Sequence, residues 1–264
     1  MDNSREFDSA TGVSVEQQDG IATLSIHGRT HLNLLGPGVF RDLRDRVEEC
    51  GSDPNVRAII LRGAGERAFS AGVDLREMKD LNPLTAERFI RSLHRAARIL
   101  LDVPVPVVAA IQGPCLGGAL ELALAADIRI ASADAIFGLP EVRVGLPSVI
   151  EASLLPPTVG LGRARKMLLT GEIIDAGEAH RIGLVDEVVE HDAVHERAMA
   201  VAREFLGMAR PVLASQKDIV ARWLELGEAE SAEYTINAFA LGFAAPYPHE
   251  AMTAFLEKRP PRFD

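Results

Sequence analysis

The sequence predicts an α/β chain with much parallel strand pairing. Through the first two-thirds, strand-length runs rich in β-branched residues alternate with helix-length segments, the order that builds a parallel sheet covered by helices. The last third, from about Asp192 to Glu257, is nearly all helical in pattern and carries most of the amphipathic periodicity. That region is expected to pack outward as well as inward, as a subunit-association region does. A third observation is the Gly117-Gly118 step, which opens a run rich in Ala and Leu, both strong helix formers.

Taken in order, residues 1–12 form a loose polar lead-in. Ile21–Ile26 reads as a strand from its β-branched content and alternation. Thr30–Pro37 is a loop. Val39–Cys50, apolar at Val39, Phe40, Leu43 and Val47, is an amphipathic helix that Gly51 ends. Val56–Gly63 is a second core strand. Within Arg67–Leu75, the small residues Ser70, Ala71 and Gly72 make either an ordinary turn or a place where backbone closely approaches a ligand. Arg-rich helical material runs from Ala86 to Leu101, and Pro104 and Pro106 lead into the strand Val105–Ile111. Beyond the central helix, Asp127–Ala131 and Ala135–Leu139 read as strands that deliver Pro140-Glu141 at a strand end. Glu151–Val159 is an apolar segment, Gly162–Thr170 is helical, Asp175–Ala179 starts a helix, and Leu184–Val189 is a short strand.

Pro114–Ala126 is the stretch around which the chain is organised. Every residue of its helix is small or apolar except Glu121, so no polar face reaches solvent and the helix is buried on most sides. A carboxyl there must be paired, protonated or wet, because an unpartnered buried charge costs several kcal/mol or shifts its pKa. Glu121 is therefore either a site residue or a structural Glu satisfied by an Arg or a backbone amide. Cys115, beside the glycines, reads as a small buried thiol or as a nucleophile, and no His lies nearby in sequence to support the second reading.

Composition narrows the functional class. Of 264 residues, 47% are hydrophobic and 25% charged, as in a soluble globular protein. No apolar run is long enough to span a bilayer, and the polar, acidic stretch from Met1 to Gly20 has neither a secretory h-region nor a transit-peptide pattern. A cytoplasmic protein is expected. A net charge of -10 argues against nucleic-acid binding. The two cysteines, Cys50 and Cys115, make no CxxC pair or metal-like cluster, which fits free thiols in a reducing compartment.

Three ordered stretches carry a family signature: Ala68–Met78, Gln112–Ala123 and Phe137–Val142. Together with Leu169–Glu172, Ala179–Val185 and Ala254–Pro260, they make the chain resemble the enoyl-CoA hydratase/isomerase (crotonase) superfamily. The resemblance implies a crotonase-like spiral of ββα units over residues 13–195, after the tail 1–12. It also implies a C-terminal helical trimerisation region over 196–264 that assembles trimers or dimers of trimers. The implied substrate is an acyl-CoA thioester, with coenzyme A as part of the substrate and no metal or other cofactor.

In such a protein the thioester oxygen sits between two backbone N–H groups, matched here by Val73 and Gly118. A donor of this kind is typically worth about 2.7–4 kcal/mol in the transition state. Glu121 and Glu141 match the carboxylate pair of members that hydrate a 2-enoyl-CoA. Glu121 would deprotonate the water attacking C3 and Glu141 would deliver a proton to C2. The resemblance places CoA contacts at Ala71, Gly72, Asp74 and Arg76, and at Phe255 and Lys258 reaching a neighbouring subunit's site. Arg76 also reads as a solvated helix residue, and Phe255 and Lys258 as helix packing and a surface charge.

The chain departs from the family in two places. Asn33–Pro37 replaces the more usual Asn-Ala-Leu-Asn, and Pro147-Ser148-Val149-Ile150-Glu151 replaces a stretch beginning Pro-Gly-Ala-Gly-Gly. Bulkier side chains thus stand at the acyl wall, and Glu151 is either a third acid or a structural helix-start residue. The retained carboxylate pair favours hydration over double-bond isomerisation, other acyl-CoA chemistry or a non-catalytic oligomeric scaffold.

Overall fold

The computed structural model describes residues 11–263. A six-stranded sheet, ordered β1-β2-β3-β4-β6-β9, organises the described residues. Its strands are β1 (Gly12–Gln18), β2 (Ile21–His27), β3 (Ala58–Gly63), β4 (Val107–Ile111), β6 (Ile128–Ser132) and β9 (Glu187–Val189). A second sheet holds β5 (Pro114–Leu116), β7 (Ile136–Gly138) and β8 (Ile173–Asp175). From β2 onward every pairing in the large sheet is parallel. That agrees with the alternation of strands and helices in the sequence.

β1 corrects the sequence reading, which assigned no strand before Ile21. It pairs antiparallel with β2 through a two-residue turn, Gln18 opposite Ile21. Asp19 and Gly20 both hold positive φ, 50° and 80°, the type I′ geometry whose twist suits a hairpin. Only Val13 of β1 is buried. This edge strand therefore has no alternation to betray it, although the Asp-Gly step is itself a hairpin signal. Residues 1–10 of the expected tail lie outside the described residues, and Gly12 already belongs to β1.

The helices are α1 (Pro37–Ser52), α2 (Leu75–Met78), α3 (Pro83–Asp102), α4 (Gly118–Leu124), α5 (Leu155–Val159), α6 (Leu161–Thr170) and α7 (Ala176–Arg181). α8 (Val194–Glu204), α9 (Arg210–Glu225), α10 (Glu228–Gly242) and α11 (Tyr247–Glu257) complete them. β4, β5 and α4 form one turn of a spiral, with one strand in each sheet. β6, β7 and the helical material after Leu139 form the next. Parallel bridges from Leu35 to Val73 and from Ser70 to Cys115 carry the second ladder into the loops after β2 and β3. The ββα spiral is thus present, with earlier turns contributing single bridges in place of strands.

Period-two alternation divides the core between the two faces of the large sheet. Val107, Ala109 and Ile111 of β4 pack with Leu24, Ile26, Ile59 and Leu61 against α1, α3 and α4. Val108 and Ala110 pack with Ile60 and Ile130 against Val194, Ala198 and Val201 of α8. α3 begins three residues earlier than its apolar pattern indicated, because Asn82 and Thr85 form a reciprocal capping box ahead of Ala86. α9 is tied to this body by Lys217, whose Nζ donates to the carbonyls of Leu100 (3.0 Å) and Val105 (3.1 Å) and pairs with Asp127 (2.8 Å). Farther along, Trp223, Ile236, Phe239, Leu241, Phe255 and Leu256 are exposed.

α3 supplies a wall of the site described below, so its seating matters for function. Phe40 of α1 meets Phe89 of α3 edge to face, with centroids 5.6 Å apart, and Phe40 is completely buried. Phe40→Ala is expected to lower unfolding stability by about 3–5 kcal/mol in equilibrium denaturation. An unchanged midpoint would contradict this packing.

Candidate active site

Two tight turns pack back to back at the start of α4. Gly72 holds φ +96°, and a Cβ there would stand 2.7 Å from the Leu116 carbonyl oxygen. Gly117 holds φ +55°, and a Cβ there would stand 2.7 Å from Oε1 of Glu141. Glycine is required at Gly72 by conformation and by space, and at Gly117 by its conformation. Buried Ser70 braces the first turn, its Oγ accepting from the Gly72 amide at 3.1 Å. The Gly117 amide, donating to the Gly138 carbonyl at 2.9 Å, fastens the second turn to β7.

This packing brings Val73 against Gly118, where a Cβ would lie 3.2 Å from Cγ2 of Val73. Gly118 opens α4, so its amide has no acceptor within the helix. Among the described residues, neither the Val73 nor the Gly118 amide donates to a backbone or side-chain acceptor. Both residues line a cavity of about 530 Å³, together with Ala71, Gly72, Glu121 and Glu141. Leu75, Met78, Leu81, Phe89, Ile90 and Leu93, from α2 to α3, give it a largely apolar wall.

The two predicted carboxyls therefore meet in one cavity with the two predicted amides. Glu121 is 3% exposed, and its Oε1 accepts from the Ala152 amide at 3.3 Å. Burial, with the charges of Glu141 and Glu151 adding to it, pushes the Glu121 carboxyl up to about 8. Glu141 sits in a 3₁₀ turn, Pro140–Val144, and not at the strand end itself. Its Oε2 accepts from the Ser148 hydroxyl at 2.7 Å.

Glu151 is buried, but it does not line the cavity. Its Oε1 bonds Nδ1 of His94 on α3 at 2.7 Å, and its Oε2 is buried with no partner among the described residues. Burial raises the Glu151 carboxyl and His94 opposes that shift. The third-acid reading is thereby corrected: Glu151 lies outside the wall that a substrate would touch, yet close enough to influence Glu121. Cys115 is fully buried, with its thiol pushed up by desolvation, and it too is absent from the cavity. It packs as a small apolar residue.

Of the expected CoA contacts, Ala71 and Gly72 line the cavity, whereas Asp74, Arg76, Phe255 and Lys258 do not. Asp74 is occupied elsewhere. It caps α2 through the Arg76 amide (3.0 Å) and pairs with Arg76 Nε (2.9 Å) and Arg29 (3.1 Å). The hydrogen bond from the Arg76 side chain, helped by its charge and that of Arg29, holds the Asp74 carboxyl below the usual range. Arg76 remains mostly exposed, and Phe255 is 82% exposed on α11. Sequence reasoning missed Ser148 and His94. It also missed the apolar wall of α3, which the spacing of Phe89, Leu93 and Ala97 signals at helical period.

The family described as Enoyl-CoA hydratase/isomerase matches residues 16–264. The short-chain-enoyl-CoA hydratase of Clostridium acetobutylicum is 35% identical over 248 residues, covering 94% of this chain and 95% of that protein. The crotonyl-CoA hydratase of Syntrophomonas wolfei is 33% identical over 252 residues, covering 95% and 97%. The crystal structure of an enoyl-CoA hydratase from Bacillus anthracis superposes with a TM-score of 0.89 at 29% identity, over 95% of this chain and 98% of that one.

The raised proton affinity of Glu121 has a thermodynamic consequence. Between the ordinary glutamate range and about pH 8 the folded chain holds a proton that the unfolded chain has released. This contribution to stability is fully present below the ordinary range and is lost as pH rises towards about 8. Glu121→Gln removes it. Wild-type stability relative to that variant is expected to fall across this window in denaturation measured at several pH values. A difference independent of pH would contradict the assigned environment.

Proposed function

We propose, from the premise that this chain belongs to the enoyl-CoA hydratase/isomerase family and is an enoyl-CoA hydratase, that Glu121 and Glu141 jointly add water across the C2=C3 bond of an acyl-CoA thioester. The observation that carries this reading is the convergence of both carboxyls on one cavity with the free amides of Val73 and Gly118. The thioester oxygen binds between the two amides, which stabilise the negative charge that develops on it as the enolate forms. Glu121 orients the water and takes its proton as oxygen bonds to C3. Glu141 gives a proton to C2. The double bond gains H and OH, while the single proton shared by the carboxyls moves from Glu141 to Glu121.

Dehydration reverses each step, with protonated Glu121 donating to the departing hydroxyl. The elevated proton affinity of Glu121 suits that role. Because the amides supply the polarisation and the carboxyls the proton transfers, the chemistry calls for no metal or redox cofactor. The apolar wall from Leu75 to Leu93 supports a hydrocarbon acyl chain. Coenzyme A runs over the backbone of Ala71 and Gly72. Asp74 acts on it indirectly, by holding Arg76 where that cation meets a CoA phosphate.

Phe255 and Lys258 reach the CoA of a neighbouring copy in a homotrimer or dimer of trimers. The exposed Trp223, Phe239, Leu241 and Leu256 support such an assembly. The free, buried Cys50 and Cys115 support a cytoplasmic setting. No helix among the described residues is long and apolar enough to cross a membrane.

Purified protein added to crotonyl-CoA is expected to remove the absorbance of the conjugated thioester. Glu121→Gln and Glu141→Gln are each expected to reduce the rate by about 10²–10⁴-fold. Absence of activity over a panel of enoyl-CoA chain lengths would overturn the hydratase reading. Activity surviving in both variants would overturn the residue roles.

A further inference from the structure

We propose that Ser148 is a positioning residue for Glu141, holding one carboxyl oxygen so that the other is presented beside Gly117 to the carbon that gains the proton. This rests on the hydratase reading above. Ser148 Oγ donates to Glu141 Oε2 at 2.7 Å, a normal length for a strong O–H···O bond. The other oxygen, Oε1, faces Gly117, where a Cβ would lie only 2.7 Å away. No second hydrogen bond or ion pair holds the Glu141 carboxyl among the described residues, so its orientation depends on the Ser148 bond.

Ser148 is itself held by an over-determined segment. Its neighbour Pro147 restricts φ. Upstream, the Leu146 amide returns to the Glu141 carbonyl at 3.1 Å, closing the loop between the two residues. Downstream, Ile150 holds φ +42°, a conformation that a β-branched residue keeps only where its surroundings impose it. The Ala152 amide closes the turn around it, donating to the Val149 carbonyl at 2.9 Å, and two further contacts flank it. Glu151 is pinned to His94 at 2.7 Å, and the Ala152 amide reaches Glu121 at 3.3 Å. One short segment thus grips Glu141 at one end and Glu121 at the other. Ser148 is the part of it that touches Glu141.

The test compares wild type, Ser148→Ala and Ser148→Thr in two assays. The first is steady-state hydration of crotonyl-CoA. The second is exchange of the C2 hydrogens of butyryl-CoA with solvent deuterium, which needs the amides and the C2 proton carrier but no water addition. Ser148→Ala is expected to lower kcat and the exchange rate by about 10- to 100-fold while KM moves by less than about threefold. Ser148→Thr, which keeps the hydroxyl, is expected to recover most of both rates. Thermal unfolding midpoints matching wild type separate this outcome from a folding defect. An alanine variant with wild-type kcat and exchange, one that changes KM alone, or a threonine variant as slow as alanine would overturn the proposal. Wild-type protein that exchanges C2 hydrogens but hydrates no enoyl-CoA would overturn the hydratase reading instead, and the exchange comparison would still decide the role of Ser148.

Discussion

The close approach of two backbone turns, Ala71–Val73 against Leu116–Gly118, is the constraint from which the site follows. With a Cβ at Gly72 the two turns would have to separate, because Leu116 O stands 2.7 Å from that point. Separation would move the Val73 amide away from the Gly118 amide and undo the paired donors. The large sheet and the second sheet exist, in functional terms, to press these turns together. The Ser70–Cys115 bridge is the strand-like contact that does so. Gly117 adds a second consequence of the same economy of atoms, since its bare backbone lets the Glu141 carboxyl approach the helix start.

The two carboxyls stand in unequal surroundings. Glu121 is sealed in α4 among small apolar residues and lies under the influence of two other carboxyls. Glu141 stands at the edge of a 3₁₀ turn with a hydroxyl donor at hand. Glu151 contributes from outside the cavity, as a buried carboxyl hydrogen-bonded to one histidine.

Much of this was legible in the residues. Glu121 stood out as the single polar group in a helix with no solvent face. The Ser70-Ala71-Gly72 step read as an ordinary turn or a close backbone approach, and the Gly117-Gly118 step as a helix start. The resemblance to the enoyl-CoA hydratase/isomerase family joined these to Glu141. What was not legible has physical reasons. β1 is an edge strand with one buried side chain, and β5 and β8 are three residues long, too short for any period. Ser148 and His94 act through tertiary contacts, Ser148 across a loop and His94 across 57 residues, and neither leaves a pattern in sequence. Asp74, expected at CoA, proved to be committed to a helix cap and two arginines, a contest between partners that only geometry decides.

A crystal structure of the protein with an unreactive acyl-CoA thioester bound in the cavity tests the paired-amide, paired-carboxyl arrangement most directly. The thioester oxygen is expected at about 2.7–3.1 Å from both the Val73 and the Gly118 nitrogen, with C2 and C3 lying between Glu121 and Glu141. A thioester oxygen bound to neither amide, or an acyl chain with only one of the two carboxyls beside it, would contradict the arrangement.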